Sequence, residues 1–373
     1  MTIQNANRPA APSSSAGRPA SPRDRFRRRS AISDLLVVIA WVSGPAAASL
    51  YLASGGLSDV NDVGSYVTAL GIVTGLIGTD FILLMLVLAA RVPVIDRAVG
   101  HDRAIALHRQ LGKPALYLIL AHAALLLIGY GMSSGIDPIA EIGPMLALPD
   151  MLTALLGTAL LIAVVVTSLV AVRRKFPYEF WHVIHLLSYA AVLLALPHQL
   201  SIGGTLAEGT VQRVYWIGLY VVAIGAIVIF RIAVPLFTSW AHDIRVQQVE
   251  WIAPDVASIH LTGRDLRALG AAGGEFVIWR FWTVRTWWHA HPISLSAVPT
   301  DRHARITVRV LGPGTRRLAS VKPGTRVSFA GPYGIFTDAA RTSPKLAIVA
   351  AGIGITPARA LLEGSRLTRG EAT

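Results

Sequence analysis

The sequence predicts a multi-pass α-helical membrane domain with six transmembrane helices, followed by a small β-barrel and an incomplete α/β lobe. Hydrophobic residues make up 53% of the 373-residue chain, and its mean hydropathy is +0.54. Only 15% of the residues are charged, against about 25% in soluble domains. Short alternating segments, separated by Gly, Pro and Asp, follow the apolar part. This composition excludes a disordered chain and a coiled coil, and it argues against an ordinary soluble enzyme.

Each of six apolar runs approaches the ~20 residues that cross a bilayer as a helix. They cover residues 35–53, 66–90, 114–135, 151–172, 180–197 and 214–236. The net charge is +13, and Lys and Arg collect before the first run and in the second and fourth linkers. Acids collect in the alternate linkers, for example Asp62, Asp137 and Glu208. Because cytoplasmic loops retain Lys and Arg, we expect both termini on the cytoplasmic side of the cell membrane.

Residues 1–31 are rich in Pro, Ala, Ser and Arg, so we predict a disordered basic tail. Arginines before an apolar run also suit a secretory or twin-arginine signal. The run is long and has no clear cleavage site, which favours a basic anchor. The membrane domain would then cover residues 32–238, the β domain residues 239–340 and the last lobe residues 341–373.

The β domain is predicted from five short alternating segments with turn signals between them, which are typical of a small barrel or sandwich. They are residues 243–251, 257–261, 276–281, 305–310 and 326–330. Residues 345–350 have the pattern of a buried strand, followed by a Gly-rich turn and a helical stretch at 357–363. A strand, a turn and a helix of this kind open a nucleotide-binding fold. The chain has no cysteine, which excludes iron–sulfur clusters and thiolate haem ligands.

Four histidines are predicted at matching depths of two spans, and His101 is expected in a loop. His108 and His122 belong to span three, and His185 and His198 belong to span five. The first pair is 14 residues apart, about 40° short of four turns, so both face one way ~21 Å apart. An imidazole inside a bilayer needs a partner. Two bis-imidazole haem sites stacked across the bilayer fit this arrangement, and iron without an open position suits electron transfer.

The spacing of the second histidine pair fits an ideal helix less well. His185 and His198 are 13 residues apart, about 140° out of phase on an ideal helix. Pro197 offers a kink or an early helix end that would re-aim His198. His182, one turn before His185, is the competing ligand. A single intramembrane histidine is more often a hydrogen-bonded structural residue, whereas four at paired depths favour haem.

The segments 91–96, 100–103 and 108–112, together with residues 178–185 and His198, resemble the ferric reductase-like transmembrane family. This family includes ferric reductases and the NADPH oxidase catalytic subunits, and its members hold two b-type haems between spans three and five. The resemblance selects His185 over His182. It implies that His108 and His185 bind the cytoplasmic-side haem, and that His122 and His198 bind the outer haem.

The cytoplasmic part resembles the ferredoxin–NADP reductase module. His291, Pro292, Ile293 and Ser294 match its FAD motif, in which a basic residue meets the phosphates and a hydroxyl reaches the flavin ring. Ile293 stands where the family often has an aromatic residue. The resemblance implies that Gly312, Gly314 and Thr315 form the loop that closes on the FAD phosphates. It also implies that residues 331–334 form the turn at the end of the flavin barrel.

Residues 351–357 resemble the first NAD(P)H-binding loop of the same module, with Gly352, Gly354, Thr356 and Pro357. There glycines let a helix N-terminus approach a pyrophosphate. The family needs further strands and helices after this loop. We therefore expect an incomplete nicotinamide lobe, either in a truncated member or in a chain that a second polypeptide completes.

The resemblance implies a membrane flavohaem oxidoreductase that passes electrons from NAD(P)H through FAD and two b-type haems to an external acceptor. Ferric iron is the favoured acceptor and dioxygen, giving superoxide, is the alternative. A haem electron-transfer subunit fed by a partner reductase and a non-catalytic remnant of a longer gene are the other hypotheses. Besides lipid and the acceptor, we expect no nucleic-acid partner, because the basic residues flank the membrane spans.

Overall fold

The computed structural model describes residues 22–365, apart from residues 59, 203, 270–273, 285, 342 and 344. Six helices in these residues are long and apolar enough to cross a membrane, as predicted. The helices before the β domain are α1 (Pro22–Ala53), α2 (Val63–Ala89), α3 (Pro93–Ala98), α4 (His101–Ser134), α5 (Pro138–Leu146), α6 (Met151–Ser168), α7 (Val170–Arg173), α8 (Tyr178–Ser201), α9 (Val211–Ala226) and α10 (Val234–His242).

Glycines bring the histidine-bearing helices close to their neighbours. A Cβ at Gly71 of α2 would lie 2.9 Å from the Leu126 side chain of α4. A Cβ at Gly157 of α6 would lie 2.8 Å from the Ala191 carbonyl oxygen of α8. Small residues permit such close approach between membrane helices. The pairs α2–α4 and α6–α8 therefore place α4 and α8 each against another span.

The sixth span is not a regular α-helix along its whole length. Residues Ile227–Ala233 between α9 and α10 form a π-helix. Arg231 lies on this segment, and its guanidinium donates a hydrogen bond to the Ala89 carbonyl at 3.0 Å. A π-helical segment is frequently found at a functional site. Here it places a cationic side chain beside the end of α2.

Helix α1 begins well before the predicted end of the basic tail. Residues 22–31 are helical, so this part of the predicted disordered tail is wrong. Pro22 starts the helix and Asp24 lies in its first turn, and both features favour a helix N-terminus. Arginine is also a good helix former. Residues 1–21 of the predicted tail lie outside the described residues.

The β domain consists of two three-stranded antiparallel sheets, ordered β1-β2-β5 and β4-β3-β6. Bridges join Arg245 to Arg326 and Leu295 to Ile306. The strand order of the described residues therefore closes on itself, as in a six-stranded barrel. The strands are β1 (Arg245–Ala253), β2 (Val256–Thr262), β3 (Phe276–Phe281), β4 (His291–Ser294), β5 (His303–Arg309) and β6 (Val327–Tyr333).

Five strands occupy the predicted segments, shifted by at most a few residues, and their inward side chains form one core. Trp279 and Phe281 of β3 and Ile259 of β2 are fully buried in it. Helix α11 (Pro313–Leu318) follows β5 and adds the fully buried Leu318. The short strand β4 carries the predicted flavin motif and was not predicted as a strand.

Residues 345–350 do not form the predicted buried strand. Only Leu346 makes a bridge, and Val349 is fully exposed. A parallel strand is stabilised by neighbours on its edges and by helices on its faces. No such neighbouring strand is present in the described residues. The predicted helix after it does form, as α12 (Ile355–Gly364).

Candidate functional site

The imidazoles of His108 and His185 face each other between α4 and α8. Their ring centroids are 6.0 Å apart and their planes make an angle of 65°. Two metal–nitrogen bonds of about 2 Å each, together with the two ring radii, span a similar distance. The competing residue His182 lies one turn away, in electrostatic range of Arg231 and Arg280. The structure thus brings His185 opposite His108.

Backbone carbonyls of α2 orient both histidines of α4. The Nδ1 atom of His108 lies 3.0 Å from the Met85 carbonyl oxygen. That of His122 lies 2.8 Å from the Gly71 carbonyl oxygen. A carbonyl only accepts, so Nδ1 carries the proton in both rings and Nε2 keeps its lone pair. A metal-binding histidine is commonly held in this way.

Gly75 makes room for the His122 ring. A Cβ at this position would lie 2.4 Å from Nδ1 of His122, a distance that side chains do not adopt. The absence of a side chain lets α2 accept the imidazole against its backbone. This glycine was not identified from the sequence, because its role depends on which residue of α4 faces it.

His198 is placed differently from the other three. Helix α8 continues through Pro197 to Ser201, so of the two predicted alternatives, a kink or an early helix end, the early end is wrong. The Nδ1 atom of His198 is buried and has no hydrogen-bond partner among the described residues. The ring lies in electrostatic range of His122 and of Asp150. His122 and His198 therefore share one end of the bundle, with one imidazole oriented by backbone and the other without an orienting bond.

The predicted flavin motif forms strand β4, which pairs with β3. Its last residue, Ser294, pairs with Phe276 of β3, which also pairs with Tyr333 of β6. His291 pairs with Trp279, and the Trp279 indole donates a hydrogen bond to the Ile293 carbonyl at 3.0 Å. These contacts fix the backbone of the motif.

The environment of the His291 imidazole sets both its hydrogen bonding and its protonation. Its buried Nε2 has no hydrogen-bond partner in the part of the chain that the structure describes. Burial, and then the neighbouring His289, lower the pKa of His291 to about 4. The imidazole is therefore neutral at pH 7, not the cation expected from the sequence. A buried polar atom without a partner is costly unless a ligand satisfies it.

The predicted phosphate loop begins helix α11 and lies beside His291. Gly312 precedes the helix, and the Thr315 hydroxyl accepts hydrogen bonds from the Leu311 and Gly312 amides at 2.9 and 3.2 Å. A Cβ at Gly314 would lie 3.9 Å from His291 Cε1. The two predicted FAD motifs are therefore adjacent.

An open cleft of about 450 Å³ adjoins this loop. Arg316 and Arg317 line it together with Gly312, Pro313 and Ser320. Guanidinium groups bind phosphate oxygens through charge-assisted hydrogen bonds. The two arginines were not predicted from the sequence, although they follow directly on Thr315.

Residues 331–334 join the β domain to the membrane domain. The Tyr333 ring stacks on His101 at 5.6 Å, and the Arg91 guanidinium lies 5.3 Å from its centroid. His101 opens helix α4 instead of lying in a loop, and it pairs with Asp96 at 3.2 Å. A small cavity of about 100 Å³ lies at this junction. Burial raises the pKa of Tyr333, which stays neutral and can stack there.

The predicted nicotinamide loop is exposed and separate from the cleft. Gly352 has a φ of +56°, and a Cβ at Gly352 or Gly354 would meet no atom within 4 Å. The Thr356 hydroxyl donates to the Ile353 carbonyl at 2.9 Å, and Pro357 lies in the first turn of α12. Within the described residues, no group of three or more His, Cys, Asp or Glu could hold a metal ion.

Comparisons with known proteins agree with two parts of this architecture. Residues 74–196 match the family model of the ferric reductase-like transmembrane component. The chain therefore carries a ferric reductase-like transmembrane domain, which includes His108, His122 and His185. His198 lies two residues beyond the match.

The chain has curated relatives and similar solved structures. The electron transfer subunit of dihydroorotate dehydrogenase B (NAD(+)) from Desulforamulus reducens is 32% identical over 120 residues, which are 32% of this chain and 45% of the relative. The same subunit from Clostridium acetobutylicum is 33% identical over 84 residues, which are 22% of this chain and 33% of the relative. The chain thus spans less than half the length of these relatives.

Two solved structures are also similar. The FAD/NAD-binding domain of nitric oxide dioxygenase from Vibrio cholerae is 25% identical, with a TM-score of 0.28, over 33% of this chain and 56% of that one. Flavohemoglobin from Malassezia yamatoensis is 15% identical, with a TM-score of 0.33, over 85% of this chain and 72% of that one.

Proposed function

We propose that this chain, with its ferric reductase-like transmembrane domain, is a membrane flavohaem oxidoreductase. Electrons from NAD(P)H would pass through FAD and two b-type haems to an acceptor on the outer side, such as ferric iron. The observation that carries the proposal is the His108–His185 pair, with ring centroids 6.0 Å apart. The hydrogen bond from Nδ1 of His108 to Met85 leaves Nε2 of that ring to bind iron.

The two histidine pairs fit two haems. His108 and His185 would hold the inner one, and His122 and His198 the outer one. Each iron would be six-coordinate, which supplies reversible one-electron chemistry without an open ligand position. The Gly71 carbonyl and the space above Gly75 hold the His122 ring in place. The residues 108 and 122 on α4 separate the two levels by about 21 Å.

The β domain would hold FAD across β4 and the start of α11. His291 offers a buried nitrogen that has no hydrogen-bond partner among the described residues. Ser294 offers a hydroxyl, and it pairs with Phe276, which in turn pairs with Tyr333. Arg316 and Arg317 offer cations in the adjoining cleft. Together these groups suit a ligand that combines an apolar ring with an anionic pyrophosphate.

NAD(P)H would approach the turn formed by Gly352 and Gly354, where no side chain obstructs the backbone of α12. A second candidate function is a haem electron-transfer subunit fed by a partner reductase. The curated relatives, which are electron transfer subunits by name, favour it.

Both termini and the FAD domain would lie in the cytoplasm, and the positive charge of the second and fourth linkers supports this orientation. The outer ends of the spans carry acids, including Asp137 and Asp150, which suit ferric complexes at least as well as neutral acceptors. Ferric iron is therefore the proposed acceptor, and dioxygen is the alternative.

Proteoliposomes test this function. The full chain, loaded with haem and FAD, is reconstituted with a ferric chelate and a ferrous indicator trapped inside. NADPH or NADH is added outside without air. Ferrous iron should form inside with the parent chain and not with His122→Ala, which keeps the FAD domain. Haem-loaded vesicles that form no ferrous iron with either donor would contradict the proposal. Superoxide formation in air, with no iron reduction, would favour the alternative acceptor.

A further inference from the structure

Trp181 lies against the proposed inner haem ligand. It precedes His185 by four residues on α8, so both side chains lie on the same face. The indole and imidazole centroids are 5.0 Å apart, and their planes differ by only 25°. This stacked contact covers one face of the imidazole. The orientation of the His185 ring therefore depends on a residue that has no ligand atom of its own.

The hydroxyl of Ser168, at the end of α6, connects the two rings. It donates its proton to the Val164 carbonyl at 2.7 Å, so its lone pairs remain for incoming donors. The Trp181 Nε1–H donates to the Ser168 oxygen at 3.1 Å. The Nδ1 atom of His185 lies 3.5 Å from the same oxygen. Because the hydroxyl proton is already used, His185 must supply the proton at Nδ1, and its Nε2 stays free.

Arg173 completes the arrangement on the other side of the indole. Its guanidinium carbon lies 4.7 Å from the indole centroid, within the range of a cation–π interaction. The Arg173 side chain also donates to the Phe176 carbonyl at 3.3 Å. Arg173, Trp181 and His185 therefore form a continuous stack that begins at the end of α7, and His108 meets His185 edge-on.

We propose that Trp181 is a positioning residue for His185, and that Ser168 is the shared acceptor that sets its tautomer. This inference rests on the proposed function, because it assigns to His185 a ligand role at the inner haem. Together the two residues hold the angle of 65° between the His108 and His185 rings. The described residues offer no equivalent at the outer pair, where Nδ1 of His198 has no hydrogen-bond partner among them.

The test compares three variants of the full chain, purified in detergent with haem. Trp181→Leu removes the stacked ring and the donor, Trp181→Phe keeps the ring alone, and Ser168→Ala removes the acceptor. Trp41→Leu is the matched control, because Trp41 is 77% exposed on α1. The readouts are the low-temperature electron paramagnetic resonance signals of the ferric haems and the rate of haem transfer to apomyoglobin.

We expect Trp181→Leu to shift one of two low-spin signals, since the ring angle is no longer held. It should also weaken binding of that haem by about 10- to 100-fold, as the loss of groups that orient metal ligands does. Ser168→Ala should shift the same signal less. Trp181→Phe should retain most of the parent signal, and Trp41→Leu all of it.

Two haem signals that are unchanged in Trp181→Leu and in Ser168→Ala would overturn the inference and leave the proposed function intact. If Trp181→Leu does not fold, an unchanged signal in Ser168→Ala overturns it alone. A parent chain that binds no haem would overturn both the inference and the proposed function.

Discussion

The neutral state of His291 has a consequence for ligand binding at the residue scale. Burial holds its pKa at about 4, below the usual value of about 6.5. An anionic pyrophosphate beside the ring would raise that pKa, so binding would be coupled to proton uptake. FAD should therefore bind more tightly as pH falls from 7 towards 5, by up to about tenfold per pH unit.

Flavin fluorescence titrations at several pH values measure this coupling. The variant His291→Gln should bind FAD more weakly at pH 5 and should lose the pH dependence between pH 7 and 5. An equal slope in both proteins would show that His291 does not take up the proton.

Gly75 provides a second test at this scale. The change Gly75→Ala places a Cβ 2.4 Å from Nδ1 of His122, which must displace the ring and break its bond to the Gly71 carbonyl. We expect the purified chain to lose one of the two proposed haems and keep the other, as measured by the ratio of haem to protein. The control Gly218→Ala meets no atom within 4 Å and should keep both. Retention of both haems in Gly75→Ala would contradict the placement of His122.

At the scale of elements, helix α11 is predicted to act through its cations. The double change Arg316→Ala and Arg317→Ala removes the guanidinium groups of the cleft beside His291. A hydrogen bond to a charged group contributes about 1.5–3 kcal/mol, so FAD affinity should fall by about tenfold or more. The loss should be smaller in high salt, which screens exposed charges.

The measurement is FAD titration at two ionic strengths. The control for net charge removes two exposed cations outside the lining of the cleft, through Arg302→Ala together with Lys322→Ala. Equal affinity in the α11 variant and in this control would remove α11 from the proposed FAD site.

Elements could be predicted from the sequence where an apolar or alternating pattern determines which of their residues are buried. The six spans and strand β3 follow directly from runs of apolar or alternating residues. Strand β4 was missed because it has four residues and contains Pro292. Residues 345–350 have a strand's composition, but a strand also needs neighbouring strands, and in the described part of this segment only Leu346 forms a bridge. The helical start at Pro22 was missed because the Arg-rich composition outweighed the helix-starting signals.

Some of the site residues could also be predicted from the sequence, and others could not. The spacing of the histidines in spans three and five identified them as candidate ligands, because helix periodicity relates residue number to depth. The contacts of His122 with Gly75 and of His185 with Ser168 join different helices, and spacing within one helix does not determine them. His101 was placed in a loop, since its contact with Tyr333 joins residues that are far apart in the sequence.

For the whole molecule, the proposed orientation in the membrane is testable because the chain has no cysteine. Ser58→Cys lies in the exposed linker after α1, and Lys322→Cys is exposed on the β domain. A membrane-impermeant maleimide should label Ser58→Cys in intact cells. It should label Lys322→Cys only after the membrane is opened. The reverse pattern would overturn the assignment from linker charge.

The central claim, that one chain passes electrons from a nicotinamide donor through FAD to haems held by four histidines, is tested most directly by anaerobic reduction. Purified full chain with haem and FAD is mixed with NADPH or NADH, and the b-type haem absorbance is followed. The account predicts reduction of both haems, and of one haem fewer in His122→Ala. Haem that is reduced by dithionite but by neither nicotinamide would contradict the claim and favour a subunit fed by a partner reductase.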